Sequence, residues 1–318
     1  MQKIIEMIDK ASDIAILSHI DEDADAFGSS LAMQEMLKTK GKNVCYYLER
    51  PIEKKLSFIS DDYLIYDDEA KNKHFDLVIC LDSGDLGRLG KRAEILENCD
   101  KSICIDHHYT NVGYCDENMI DGDISSTSEM IFNLLSYMNF EITEKIAIYL
   151  YCGIMGDTGC LKYGCATYKT AFVISKLMEF GFDHAYYCRR IFDLDPVELV
   201  KLRGYVMNNI ESYHNGEVSL AWVDTKILEE FGVSECDTGN IVNIPRSVDG
   251  TEIAAFIKKT DEKVKISLRS NGKYNVGEIA VKLGGGGHEM AAGASVGNIS
   301  VDEAKEKLLK AIGEVING

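Results

Sequence analysis

Four apolar segments of this chain each lead into carboxylates, two of them joined by imidazoles, and that recurrence limits the possible folds more than any other feature of the sequence. IAILSH (14–19) reads as a buried strand and continues into HIDEDADAFGSS, which supplies His19, Asp23 and Asp25. DLVICLD ends in Asp82, SICID ends in Asp106 and is followed by His107 and His108, and GIMGDTG carries Asp157 behind a helical stretch. Short apolar runs alternating with helical spacing predict a parallel sheet covered by helices. Ligands of such sheets collect at the carboxyl ends of the strands, where these side chains fall.

The rest of the first half fits that layout. LAMQEMLKTKG, ending at Gly41, predicts a helix after the first strand, and NVCYYLE predicts another strand. Helical spacing returns over Ser128–Met138, from Thr143 to about Met155, and from Thr167 to Gly181. DLDPVELVKLRGYVMNNI reads as a turn at Pro196 followed by a connecting helix. Beyond it, GEVSLAWVD, TEIAAFIKK and KVKISLR predict strands, NVGEIAVKL a helix, and Val301–Ile316 an amphipathic helix. The expected fold class is α/β: a parallel-sheet domain over 1–192 with helices on both faces, a helical linker over 193–214, and a smaller α/β domain over 215–318.

Carboxylates suit hard divalent ions, imidazole is accepted by manganese, iron and zinc, and a mixed set suits water activation. Spacing of i, i+4 and i+6 in His19, Asp23 and Asp25 lets one strand end feed two ions. Each element also has a bland explanation. DEDAD alone is usually a solvated turn, Asp82 before Ser-Gly can initiate a turn, and His107 and His108 can be polar loop residues. The coincidence argues against four independent turns, because three of the seven histidines fall in these clusters. GGGGH, with Gly285, Gly286, Gly287 and His288, lets backbone amides approach a phosphate, although a flexible turn explains a lone glycine run equally well. It follows a helix rather than a strand, which excludes a dinucleotide fingerprint. Arg269 at a strand end strengthens the phosphate reading, and Arg88 in GDLGRLG suits either phosphate or a neighbouring acid. Ser83, Thr158, Tyr186 and Tyr187 have no stronger claim than packing or exposure.

Charge narrows the partners. With 52 acidic against 34 basic residues, the formal charge is −18, which repels extended nucleic acid, long duplexes included. No run of about 18 apolar residues offers a membrane span, and MQKIIEMIDKASD lacks the features of a signal peptide, so a cytoplasmic protein without membrane partners is expected. The ten cysteines are scattered without a C-x-x-C pair and read as reduced residues, many in apolar runs. A cysteine site at Cys152, Cys160 and Cys165 lacks the paired spacing of zinc centres.

SHIDEDADAFGS, CLDSGDLGRLG, IDHH and GDTG resemble, in order, the four motifs of the DHH phosphoesterase superfamily, and SLRSNGKYNVGEIAVKLGGGGHEMAAGAS resembles the glycine-rich motif of its DHHA1 domain. The two-domain layout is most similar to the bifunctional oligoribonuclease and pAp-phosphatase group and to stand-alone cyclic-di-AMP phosphodiesterases. The resemblance implies two divalent ions, with Mn²⁺ the expected species. It matches His19 and Asp23 to one ion, Asp25, His107 and Asp157 to the other, and Asp82 to a bridge between them. It implies that His108 either supports the metal ligands from behind or faces phosphate, that Asp106 orients an imidazole, and that Arg269 and His288 grasp substrate. DEDAD departs from the Pro-Asp-Gly-Asp run frequent in relatives, which puts the shape of that loop in question. The implied partners are short RNA oligonucleotides, from dinucleotides to about pentanucleotides, or small nucleotides such as 3′-phosphoadenosine 5′-phosphate. A homodimer is compatible with the sequence. Alternatives are a cyclic-di-AMP phosphodiesterase, an inorganic pyrophosphatase, whose relatives lack the GGGGH segment, and a non-catalytic nucleotide-binding regulator, which would need a degraded ligand set.

Overall fold

Successive residues of a strand point to opposite faces, so a strand apolar at every position must be covered on both sides. The computed structural model describes residues 1–317, apart from the side chains of Cys236 and Asp237, and divides the chain into two compact units, Met1–Leu194 and Asp195–Gly318. The first unit runs α1 (Gln2–Lys10), β1 (Asp13–Leu17), α2 (Ala24–Thr39), β2 (Asn43–Leu48), β3 (Leu64–Ile65), α3 (Asp68–Asn72), β4 (Leu77–Leu81), a 3₁₀ stretch (Leu86–Asn98), β5 (Ser102–Asp106), β6 (Glu117–Ile120), α4 (Thr127–Tyr137), α5 (Glu144–Asp157), α6 (Tyr168–Met178) and α7 (His184–Phe192). Its six strands pair in parallel in the order β3-β2-β1-β4-β5-β6. Ile14, Ile16, Ile79, Leu81, Ile103 and Ile105 face one core with α1, α2, α4 and α5. Ala15, Leu17, Val78 and Cys80 face the other, under the 3₁₀ stretch. The strand order reverses between β1 and β4, and the crevice at the carboxyl ends of such a pair is the usual ligand site of a doubly wound sheet.

Two helix boundaries differ from the sequence expectation, and both bear on the site. The expected helix at Leu31 begins at Ala24, because the Asp23 carboxylate caps it, accepting from the amides of Asp25 (2.9 Å) and Ala26 (3.0 Å). The acidic segment is therefore the first turn of a helix and not a free loop. The helix capped by Thr143 continues through Asp157, which is its last residue.

The second unit contains α8 (Val197–Asn208), β7 (Glu211–Tyr213), β8 (Val218–Asp224), α9 (Thr225–Phe231), α10 (Asn243–Arg246), β9 (Ile253–Lys259), β10 (Val264–Ser270), α11 (Val276–Lys282), β11 (Gly286–Gly287), β12 (Ala291–Ser295) and α12 (Val301–Ile316). Its sheet, ordered β11-β12-β10-β9-β8-β7, is parallel only at β8 and β9. One face packs on α11 and α12. The other packs on α8, whose Leu199, Leu202 and Val206 share a core with Val223 and Phe256. Thus the helix in the expected connector region packs into the second unit's core. No helix of the described residues is long and apolar enough to cross a membrane.

A buried ion pair ties the start of the acidic segment to the first sheet. Arg92 is fully buried and donates to Glu22 (2.8 Å), to the carbonyls of Tyr47 (2.8 Å) and Ser18 (3.0 Å), and through Nε to that of Leu89 (3.2 Å). Burial raises the Glu22 carboxyl above its ordinary range, and Arg92 opposes that shift. Removing one partner leaves a buried charge or orphaned carbonyls. Arg92→Ala is expected to destabilise the protein by about 3–5 kcal/mol in denaturant unfolding. A loss under about 1 kcal/mol would show that the pair is not what fixes this corner.

Candidate metal centre

At the carboxyl ends of β1, β4 and β5, two groups of side chains have ligand atoms within 4.8 Å of one another: His19, Asp23 and Asp82, and Asp25, His107 and Asp157. Asp82 belongs to both neighbourhoods. Its Oδ2 lies 3.7 Å from His19 Nε2, and its Oδ1 lies 3.5 Å from His107 Nε2. His107 Nε2 also lies 3.2 Å from Asp157 Oδ2, and His19 Nε2 lies 3.7 Å from Asp23 Oδ2. His108 joins Asp82 and His107 in a third group.

Several of these side chains are aimed by neighbours. His19 Nδ1 is engaged by the carbonyl of Ile20 (2.8 Å), which turns Nε2 inward. Asp25 accepts from the amides of Thr127 (2.7 Å) and Ser128 (2.9 Å) in the first turn of α4, where unpaired amides and the helix dipole favour an anion. Thr127 also donates its hydroxyl to Asp82 (3.0 Å), and Asp82 has φ +53°, a left-handed conformation rare for a non-glycine residue. Asp106 is fully buried, engages His108 Nδ1 at 2.7 Å and accepts from Asn111 Nδ2 at 2.7 Å. Gly153 admits the site sterically, because a Cβ there would stand 2.0 Å from Ser128 Oγ and 2.8 Å from Asp25 Oδ1. Sequence reasoning did not single out Thr127, Ser128, Asn111 or Gly153. SSTSE carries a helix-capping signal, but nothing in the sequence links it to an aspartate about a hundred residues earlier.

The electrostatics fit a divalent cation site. Burial, then the charges of Asp25 and Asp23, push the Asp82 carboxyl well above its usual range. Asp157 is raised by burial and by Asp25, Asp23 and Asp82, and Asp25 is raised chiefly by burial. Against the cost of burial, Asp23 and Asp82 hold His19 up at about 9. Asp23 itself, against a desolvation cost, is held at about 2 by His19 and the two amides it caps. His108 is raised first by its contact with Asp106. Four carboxylates crowded this way repel one another, and divalent ions relieve that repulsion.

The other predicted residues flank this cluster within the first unit or belong to the second unit. Arg88 is exposed, and its carbonyl accepts from Ile20 (2.7 Å) beside His19. Ser83 presents its carbonyl to Asn111 (3.2 Å) and Tyr114 (3.1 Å). Thr158 donates to the Ile154 carbonyl (2.6 Å), and Tyr186 packs edge-on against both Tyr187 and Phe58, with Tyr187 tilted against Phe58. In the second unit, Arg269 on β10 pairs with Ala291 of β12, and the His288 amide donates to the Ala291 carbonyl (2.8 Å). The arginine and the glycine hairpin therefore share one end of that sheet. Gly285 and Gly287 are required by backbone approach, since a Cβ would meet Gly293 O at 2.1 Å and Ala292 Cα at 2.5 Å, whereas Gly286 faces open space. Cys152 is buried and Cys165 exposed, and no group of metal-ligating side chains among the described residues includes a cysteine.

A doubly wound domain with a histidine and aspartate cluster at its switch point, joined to a mixed-sheet domain, defines the class of the molecule. Residues 13–154 match the DHH family, N-terminal domain, and residues 218–318 match the DHHA1 domain. The chain is 31% identical to the bifunctional oligoribonuclease and PAP phosphatase NrnA of Thermus thermophilus, across 95% of this chain and 89% of that protein. Identity to the Bacillus subtilis protein of the same name is 28%, across 95% and 94%. An exopolyphosphatase-related protein from Bacteroides fragilis superposes with a TM-score of 0.93 at 28% identity, covering 98% of this chain and 95% of that one. Manganese-bound RecJ of Thermus thermophilus shares the fold at a TM-score of 0.58 and 12% identity, over all of this chain and 54% of that one. The chain belongs to the DHH phosphoesterase family, in its DHHA1-bearing form.

The raised groups predict how metal and pH act on stability. Asp25, Asp82 and Asp157 titrate higher folded than unfolded, so their contribution is full below about pH 4 and is lost as pH rises through their folded values. His19 acts with the same sign, full below its ordinary 6.5 and lost through about 9. The contribution of Asp23, lowered to about 2, is already complete at pH 5. Chelator-treated protein is therefore expected to lose thermal stability from pH 5 to pH 9, and added Mn²⁺ to restore a larger Tm increment at higher pH. An increment that shrank as pH rose would contradict this assignment.

Proposed function

We propose that this phosphoesterase hydrolyses short oligoribonucleotides, dinucleotides to about pentanucleotides, and 3′-phosphoadenosine 5′-phosphate, with two Mn²⁺ ions, in the cytoplasm. The observation that carries the reading is Asp82, whose two oxygens face His19 and His107 separately, so that one carboxylate could serve two ions. His19 and Asp23 would hold one ion, and Asp25, His107 and Asp157 the other. Such a pair would supply Lewis acidity toward phosphate and would lower the pKa of a bound water. The relatives named NrnA, matched along nearly their whole length, support this substrate class.

The protein's own residues account for the rest of the chemistry. With Nδ1 engaged by Asp106, His108 keeps Nε2 for a phosphate oxygen, and the raised basicity of its ring favours a proton there. Arg269, the amides of Gly285–Gly287 and His288 are assigned to substrate binding, with Arg88 a further candidate for phosphate. A grip of this size holds one or two nucleotides, and a net charge of −18 works against the long-range attraction of long RNA or duplex nucleic acid.

Variants separate these roles. Asp82→Asn is expected to cause the largest loss of turnover. His107→Ala is expected to lose metal together with activity, whereas His108→Ala keeps metal and loses about 10²–10³-fold in kcat. Equal metal loss in the two histidine variants, measured by elemental analysis, would refute the division.

Substrate length supplies a further test, in a Mn²⁺ assay of a dinucleotide, 3′-phosphoadenosine 5′-phosphate, cyclic di-AMP and a long single strand. The dinucleotide is expected to be cleaved far faster than the long strand. Arg269→Ala is expected to raise KM for the dinucleotide while metal content and hydrolysis of a small activated diester stay unchanged. Preference for cyclic di-AMP, or equal rates on long RNA and dinucleotide, would overturn the proposed substrate class.

A further inference from the structure

A pair of thiols outside the ligand set stands next to one of its members. Cys160 Sγ and Cys188 Sγ are 3.2 Å apart, although the residues are 28 positions apart in sequence, and both side chains are partly exposed. Cys188 lies on α7, which packs against the core containing α5 through Ile191. Cys160 lies three residues beyond Asp157, in a turn where Gly159, Cys160 and Leu161 have φ values of +56°, +62° and +61°. Consecutive left-handed residues with side chains are costly and persist only where their surroundings hold them. Here the Cys160 amide donates to the Met155 carbonyl (2.9 Å), the Leu161 amide to Thr158 Oγ1 (3.2 Å), and the Tyr163 ring covers Gly159. The turn is thus braced on the last residues of α5, where Asp157 sits.

We propose that Cys160 and Cys188 form a reversible oxidation site, at which a peroxide makes an intramolecular disulfide that displaces the turn and, through it, Asp157. One thiol sulfur attacks the peroxide O–O bond, giving a sulfenic acid and one water. The second thiol sulfur then displaces the sulfenic oxygen, which leaves as a second water. Two thiols and one hydrogen peroxide thus yield one disulfide and two waters, the sulfurs losing two electrons and the peroxide gaining them. The sulfurs must approach by about 1 Å to bond, and because Tyr187, Ile191 and Phe192 hold α7 against the core, part of that displacement is taken up by the turn and passed through its contacts to the end of α5. A carboxylate moved by about that distance binds its ion less tightly and orients substrate less well.

The experiment treats the full chain, stripped of metal, with hydrogen peroxide, maps disulfides by peptide mass spectrometry, and measures Mn²⁺ affinity by calorimetry before and after dithiothreitol. A Cys160–Cys188 crosslink is expected, with Mn²⁺ affinity lowered about tenfold and restored by the reductant. Cys188→Ser is expected to bind Mn²⁺ as the parent does and to ignore peroxide, and Cys160→Ser serves the same purpose if that variant does not fold. The proposal is overturned if no such crosslink forms while other cysteines oxidise, if the crosslink leaves Mn²⁺ affinity unchanged, or if the serine variant loses affinity in peroxide as the parent does. Mapping and calorimetry need no nucleotide substrate, so this result stands apart from the assignment of the hydrolysed substrate.

Discussion

The crowding of Asp23, Asp25, Asp82 and Asp157 at one end of a parallel sheet is the constraint around which the first unit is organised. Two like charges about 4 Å apart repel by about 4 kcal/mol at an effective dielectric constant near 20, a large fraction of a domain's total stability. The fold opposes this with positive ends of its own. Asp23 caps α2, Asp25 sits on the first amides of α4, and His19 and His107 stand against the carboxylates. Asp82 and Asp157 are raised well above the usual carboxylate range by burial first and by the neighbouring carboxylates second, a cost that bound divalent cations would relieve. Arg92 and Glu22 add no charge at the centre, yet they anchor the segment that starts α2 to the carbonyls behind it.

Holding those carboxylates together requires two helices closer than ordinary side chains allow. A Cβ on Gly28 of α2 would lie 2.4 Å from the Tyr149 carbonyl of α5, and one on Gly156 would lie 2.6 Å from the Ala24 Cβ. With Gly153 against Asp25 and Ser128, three helical glycines let α5 lie along α2 and deliver Asp157 opposite Asp25. Each glycine costs its helix about 1 kcal/mol relative to alanine. The fold accepts that local weakness because alanine would push apart the backbones that carry the site. Packing and ligand geometry are here the same problem.

This coupling explains what could be read from the sequence. β1, β4 and β5 were legible because buried parallel strands are continuous apolar runs, and His19, Asp82 and His107 follow them directly. Val301–Ile316 was legible as well, since one amphipathic stripe and the Ser300 cap mark the whole helix. The start of α2 was missed because AFGSS carries small and polar residues, and the helix is buried on nearly every side instead of showing one apolar stripe. Short elements such as β3, α9 and α10 carry too few residues for any period to show. The clamps on Asp25 and Asp106 were invisible for another reason: Thr127, Ser128 and Asn111 act through contacts that only the folded chain makes.

The glycine run of the second unit shows how one motif can carry two separable demands. Gly285 and Gly287 must lack a Cβ because β12 passes too close behind them, and Gly284 and Gly287 hold positive φ, so these three are explained by the hairpin itself. Gly286 has a negative-side or extended backbone and nothing within 4 Å of the place its Cβ would occupy, so the hairpin does not require a glycine there. The open space at Gly286 leaves its backbone accessible, as the proposed phosphate contact would need, and a side chain there would narrow that access. The proposed phosphate contact therefore narrows from the whole run to the backbone around Gly286, on the hairpin whose turn adjoins Arg269 through Ala291.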